Sequence, residues 1–270
     1  MGTNIRGVRS KIMVNFSDNA QATLPHPAAL PSLGHETARL FQDLERTAPR
    51  GEPRHSPLYL GLRRASDIAV SVIALSLFAV LLPLIALAIV VDSRGPVFYS
   101  QTRIGRNQRR RNAGHASCER RKVIYPGRPF RIWKLRSMRT DAERNGPQLA
   151  QAGDARITRV GRFLRQTRLD EVPQFWNVLK GEMTLIGPRP ERLCFVRQYE
   201  ATVPGYLARL DALPGITGLA QVNNGYDEDL RSVQRKLRLD TFYITRASWT
   251  LDLRILLSTV RVVLTGEGAR

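Results

Sequence analysis

The sequence predicts an α+β chain, mainly α with a small β component, in which a re-entrant membrane helix precedes a compact cytoplasmic domain with amphipathic interfacial helices. Three observations predict it. Ile68 to Val91 is a run of 24 residues without a charge, interrupted by Pro83. Ile157 to Glu191 repeats its apolar residues at helical spacing, and Pro129 to Arg139 alternates with the two-residue period of a strand.

The composition narrows what such a chain can do. A length of 270 residues allows one or two domains. Forty-two Lys and Arg against 23 Asp and Glu leave a net charge of +19, which favours anionic partners: phosphates, nucleic acid or an acidic lipid surface. Much of the excess is local, because Arg103 to Arg139 holds 13 basic residues and one acid, Glu119. Two cysteines, Cys118 and Cys194, are too few for a disulfide scaffold or a Cys-rich zinc site. Four scattered histidines argue against a His-based metal centre or a Ser/His hydrolase. Chemistry, where present, has to use carboxylates, Lys and Arg.

Residues 1–57 contain 6 of the 16 prolines and read as a disordered cytoplasmic arm, with at most a short helix over Glu36 to Arg46. Residues 58–94 read as the membrane segment. Sixteen of the 24 residues from Ile68 to Val91 are Leu, Ile, Val or Phe. Their insertion favours the membrane by about 5 to 10 kcal/mol, and a straight helix of that length would reach about 36 Å. Arginines flank it on both sides: Arg50, Arg54, Arg63 and Arg64 before, Arg94, Arg103, Arg106 and Arg109 to Arg111 after. A spanning helix should show asymmetric positive charge, so both ends read as cytoplasmic. Pro83 removes a backbone hydrogen bond and clashes with the carbonyl of Ala79, which makes it the expected break of a re-entrant helix. The alternative is an ordinary kinked transmembrane helix.

Residues 95–267 read as the cytoplasmic domain. The stretch 107–127 is a basic loop insertion suited to anionic lipid headgroups. In the extended segment from Pro129 to Arg139, Phe130, Ile132, Lys134, Arg136 and Met138 share a face, so Lys134 and Arg136 project together. Two amphipathic helices follow, marked by Val160, Phe163 and Leu164, then by Val172, Phe175, Trp176 and Leu179. Thr167 with Asp170 matches a capping pattern, and Pro173 is tolerated only near a helix start. The second helix is therefore predicted to begin between Thr167 and Asp170, with Asp170 and Glu171 at its positive end. Adjacent acids there are ordinary capping in isolation. Crowded by Arg162, Arg165, Arg168 and Arg189, with Lys134 and Arg136 at hand, they make a place for a phosphate together with a divalent cation. Ala247 to Leu264 has a wide apolar face and reads equally as an interfacial helix or a core helix.

The motifs RQTRLDEVPQFWNVL (Arg165 to Leu179), IGPRP (Ile186 to Pro190), PGITGLAQV (Pro214 to Val222), KLRSM (Lys134 to Met138) and DSRGPVFYSQTRIGR after the apolar run carry a family resemblance. The chain from about residue 60 to 267 resembles the bacterial sugar transferase family, the monotopic phosphoglycosyl transferases. It departs from that pattern at Leu213, where a basic residue usually precedes the PGITG turn, and in the length of the basic insertion. It also reads as the minimal form, without the multi-helix membrane domain of larger relatives.

The resemblance implies transfer of a sugar 1-phosphate from a nucleoside diphosphate sugar, expected to be a UDP-sugar, to polyprenyl (undecaprenyl) phosphate. It implies Asp170 and Glu171 as the catalytic pair, with Asp170 the nucleophile and a ligand of Mg²⁺, and Glu171 either completing the metal shell or positioning the polyprenyl phosphate. Arg165 and Arg189 are implied as phosphate contacts, with Lys134 and Arg136 as further candidates. Anionic lipids and a second copy of the chain are expected partners, nucleic acid is not, and the bacterial inner membrane is the expected location, with the catalytic domain on its cytoplasmic face. A nucleic-acid binder would explain the charge but not the apolar run. A membrane-anchored scaffold would explain both but not the motif series.

Overall fold

A long helix, α1, runs from Pro57 to Asp92 and is followed by a mixed domain of short helices and two small sheets. The computed structural model describes residues 56–107, 125–144, 146, 153–224 and 229–265. Residues 1–55 of the arm, with the expected short helix, and most of the basic insertion lie outside the described residues.

Helix α1 is 36 residues long, is capped by the Ser56 hydroxyl on the Tyr59 amide, and contains Pro83 inside a single helical element. Its middle is exposed: Val80 retains 79% and Leu84 70% of their surface, so it is not a core helix. It is the one helix among the described residues long and apolar enough to cross a membrane. The N-terminal turns, which lie before the apolar run, carry the polar anchors that sequence patterning did not reveal. Arg64 donates to the carbonyls of Val178 and Leu179 at 2.7 and 2.8 Å. Asp67 accepts from the Thr184 hydroxyl at 2.8 Å and the Leu185 amide at 3.0 Å. Tyr59 donates to Asp252 at 2.6 Å, where Tyr243 also donates at 2.7 Å. At the other end, Asp92 accepts from the Val160 amide at 2.9 Å, and Phe78 and Ile89 pack in a cluster with Leu135 and Leu164. Both ends of α1 are thus bonded to one domain.

Strands β1 (Phe98–Ile104) and β2 (Pro129–Leu135) form an antiparallel pair in which Tyr99 faces Lys134 and Arg103 faces Phe130. The predicted extended segment is therefore a strand, but it ends at Leu135, so Arg136 leaves the face of Lys134. Helix α2 (Arg159–Gln166) starts at Thr158 and passes close to the end of β2. Gly161 permits this, since a Cβ there would lie 2.0 Å from the Ser137 carbonyl oxygen.

The second amphipathic helix begins later than predicted. A 3₁₀ turn, Leu169–Glu171, precedes helix α3 (Gln174–Leu179). Thr167 does not cap it, because its hydroxyl donates back to Phe163 at 2.9 Å. Arg168 instead turns the chain by adopting φ 58°, the one positive φ at a non-glycine among the described residues.

Short parallel strands β3 (Thr184–Ile186) and β4 (Gly215–Thr217) pair next, with helix α4 (Leu193–Thr202) and a 3₁₀ helix, Tyr206–Asp211, between them. Helices α5 (Leu219–Asn223), α6 (Leu230–Arg246) and α7 (Trp249–Thr265) close the domain. Leu185, Ile186, Leu219, Leu239, Phe242, Leu251 and Ile255, with Ala220 and Tyr243, form the largest buried cluster among the described residues. In helix α7 Leu251 and Ile255 are core, while Leu257 and Leu264 remain 64% and 81% exposed.

Candidate active site

The acid pair lies where the 3₁₀ turn, the end of β2 and the loop after β3 meet. Asn177, buried on α3, fixes the first two against each other: its side chain donates to the Arg131 carbonyl at 2.7 Å and accepts from the Trp133 amide at 3.3 Å. That holds Lys134 beside the turn. Lys134 donates to Glu171 Oε1 at 2.7 Å, and Arg189, from the loop after β3, donates to the same oxygen at 2.8 Å. Arg189 also donates to the Gln221 side chain at 3.2 Å.

The loop that carries Arg189 is fastened along its length. The carbonyl of Pro188 accepts from the Gly215 amide at 2.9 Å, Arg189 from Arg209 at 3.0 Å, Pro190 from Arg103 at 3.3 Å and Glu191 from the Ile104 amide at 2.8 Å. Pro188 and Pro190 restrict φ at alternate positions. The PGITG motif has a packing role here: a Cβ at Gly215 would lie 2.1 Å from the Gly187 nitrogen, so only glycine lets β4 approach the loop this closely. Behind the loop, Glu191 is buried with Lys236, Arg209 and the Tyr206 hydroxyl, and Arg209 also pairs with Asp240 at 2.8 Å.

The two acids differ sharply in environment. Both are buried, Asp170 at 5% and Glu171 at 8% exposure. Burial works against the charge of Glu171, but the Arg189 guanidinium and Lys134 ammonium overcome it and hold the carboxyl well below the usual range. Asp170 accepts no hydrogen bond among the described residues. Burial therefore pushes its carboxyl up, against the pull of Lys134, Arg165 and Arg168 and with the push of Glu171. Burial likewise pushes Lys134 down, with Glu171 opposing. One acid is pinned and ionised; the other has uncommitted oxygens in a cationic field.

Among the described residues no three Asp, Glu, His or Cys side chains converge on one point. Mg²⁺ does not require that, since it commonly keeps several waters and takes one or two carboxylates plus substrate phosphates. The unclaimed Asp170 oxygens fit this role, whereas Glu171 has one oxygen already bound by two cations.

Of the residues singled out from sequence, Asp170, Glu171, Lys134 and Arg189 meet directly. Arg165 lies beside them, its Nε donating to the Ser137 hydroxyl at 2.9 Å. Arg136 is held elsewhere: it donates to the carbonyls of Ser93 and of Arg94, the latter at 2.8 Å, and secures the C-terminal end of α1. The physical reason is that the strand ends one residue earlier. Sequence reading missed Gln221, Arg209 and Glu191. Gln221 was visible only as part of the AQV motif, and the buried ions carry no local pattern.

The sequence profile described as Bacterial sugar transferase matches residues 58–266. The UDP-N-acetylgalactosamine-undecaprenyl-phosphate N-acetylgalactosaminephosphotransferase of Aeromonas hydrophila is 43% identical over 215 residues, 80% of this chain and 46% of that protein. The UDP-glucose:undecaprenyl-phosphate glucose-1-phosphate transferase of Caulobacter vibrioides is 41% identical over 77% of this chain and 71% of its own length. A protein of the same description from Escherichia coli strain K12 is 37% identical over 74% of this chain, a segment that spans 39% of that protein. The aligned part is thus less than half of two of these relatives. Because the matched region takes in α1, the acid pair and the Arg189 loop together, the chain belongs to the bacterial sugar transferase family.

Proposed function

We propose that the protein transfers a sugar 1-phosphate from a UDP-sugar to undecaprenyl phosphate, initiating exopolysaccharide, O-antigen or related glycan assembly. The carrying observation is the division of labour between the acids, with Glu171 bound by Lys134 and Arg189 while Asp170 accepts no hydrogen bond among the described residues. The names of the relatives support the two substrates.

In this reading Asp170 attacks the sugar-linked phosphorus. A carboxyl oxygen–phosphorus bond forms, the diphosphate P–O bond breaks, and a nucleoside monophosphate departs with the electron pair. An oxygen of undecaprenyl phosphate then attacks the same phosphorus and expels the Asp170 carboxylate, leaving the undecaprenyl diphosphate sugar. The acceptor is a phosphate monoester with a second pKa near ~6, so it is largely dianionic at neutral pH and needs no strong base. Glu171 holds Arg189 and Lys134 in place for phosphate oxygens, and Arg165 approaches from α2. Mg²⁺ would be held by Asp170, with the free oxygen of Glu171, and when bound would neutralise diphosphate charge.

The membrane reading follows from α1. A domain bonded to both Asp67 and Asp92 lies on one side of the bilayer, which supports a re-entrant helix turning near Pro83, with the catalytic domain on the cytoplasmic face. The exposed apolar side of α7, with Trp249 near its start, supports contact with the same interface.

The test is incubation of the protein with a panel of radiolabelled UDP-sugars, reading label on protein and on undecaprenyl phosphate. Transfer with transient protein labelling is the expected result. Absence of transfer with every donor would end the reading.

A further inference from the structure

The β1–β2 register places Tyr99 and Lys134 as partners and Arg103 opposite Phe130. Alternate residues of β1 share a face, so Arg103 stands on the same side of the hairpin as Lys134. Its guanidinium donates to the Pro190 carbonyl at 3.3 Å, next in chain to Arg189. Among the described residues Arg103 forms no ion pair, and its buried Nε has no acceptor. The neighbouring charges are already taken. Glu191 is bound by Arg209 and Lys236, and Arg192 pairs with Glu143 at 2.7 Å.

An arginine partly withdrawn from water, beside a second arginine and with its nearest carboxylate, Glu191, already bound by two other cations, is electrostatically incomplete. Its ordinary value falls to about 10, through burial and then through the positive charge of Arg189. An anion bridging the two guanidiniums would remove the repulsion and supply acceptors. Location selects which anion. Arg165 sits on α2, whose Leu164 packs with Phe78 and Ile89 of the membrane helix. Arg103 sits on β1, whose Ile104 packs instead with Val196 and Leu210. Arg103 thus lies at the end of the hairpin away from the membrane-helix cluster, which takes in Leu135 beside Lys134 as well as Leu164, and this favours the water-soluble substrate as its anion.

We propose that Arg103, with Arg189 and Lys134, forms the subsite for the diphosphate of the nucleoside diphosphate sugar, its guanidinium held by Pro190 on the Lys134 face of the hairpin with no carboxylate paired to it among the described residues. This rests on the donor assigned above. Arg103 binds and orients the donor and takes no part in bond making.

The experiment measures binding of UDP and, separately, of inorganic pyrophosphate to the full chain in lipid nanodiscs, for wild type, Arg103→Met and Arg103→Lys. Steady-state KM for donor and acceptor is measured alongside, with melting temperature as a folding control. Arg103→Met should weaken UDP and pyrophosphate about tenfold or more and raise donor KM in parallel, leaving acceptor KM within about twofold. Arg103→Lys, which keeps the charge but loses the fork, should fall between, and it serves as the reading if the Met variant does not fold. Unchanged UDP affinity in both variants, with wild type binding normally, overturns the Arg103 subsite and leaves the donor reading intact. Arg103-dependent binding of pyrophosphate without UDP binding keeps the anion subsite and removes the UDP donor. Binding of neither probe by wild type overturns both.

Discussion

Arg189 donates to Glu171 Oε1 at 2.8 Å, and the residue beside Glu171 in sequence, Asp170, is left with its oxygens unclaimed among the described residues. Two chemically similar neighbours thereby acquire different surroundings. The pinned acid binds two cations, and the other makes no hydrogen bond among the described residues. The expectations below follow from that division and from the loop that supports it.

Asp170→Asn should eliminate both protein labelling and product, lowering turnover by about 10⁴ or more, because an amide is neither nucleophile nor good metal ligand. Quenched turnover examined by intact mass reads this directly. Covalent label persisting in the variant would assign the nucleophile to another residue.

Turnover should decline on acidification as Asp170 protonates, at a pH above that of an exposed Asp, because burial favours the neutral acid. Arg165 and Arg168 favour the ionised form. Replacing either with Met should move the acidic limb of the pH–rate profile towards higher pH. A shift towards lower pH, or none in either variant, would contradict the electrostatic account.

Glu191 should make the fold acid-sensitive. Burial opposes its charge, but Arg209 and Lys236 bring the carboxyl down to about 2 from an ordinary 4.5. A depressed acid contributes stability above its unfolded value and loses it as pH falls through the folded value. The window is therefore about pH 4.5 to 2, and the contribution is of order 3 kcal/mol. Melting temperatures between pH 5 and 3 should fall less steeply for Glu191→Gln than for wild type.

Gly215→Ala should cost about 1–3 kcal/mol of stability and reduce turnover, since the added Cβ meets the Gly187 backbone and displaces the loop carrying Arg189. Gly205→Ala gives the contrast: that glycine has positive φ but open space, so it should affect melting temperature without a matching loss in turnover per folded molecule.

The apolar run, the strand at Pro129–Leu135 and the acids at 170 and 171 were legible because each depends on local periodicity or adjacent chemistry. What stayed hidden depends on contacts distant in sequence. Lys134 meets Glu171 across 37 positions, and Arg209 meets Asp240 across 31. Arg136 was misplaced because the two-residue period was carried past Leu135, where β2 stops. The Thr167 cap failed because Arg168 adopts a left-handed conformation that only tertiary context stabilises.

Because one folded body grips α1 near both ends, that segment is no detachable anchor. Excising residues 56–94 would strip Arg64 from the Val178 and Leu179 carbonyls, Asp67 from the Leu185 amide and Asp92 from the Val160 amide. It would also bare Leu135 and Leu164. A fragment trimmed for aqueous handling would be cut through its own interior, so amphiphiles have to accompany this protein from extraction to assay.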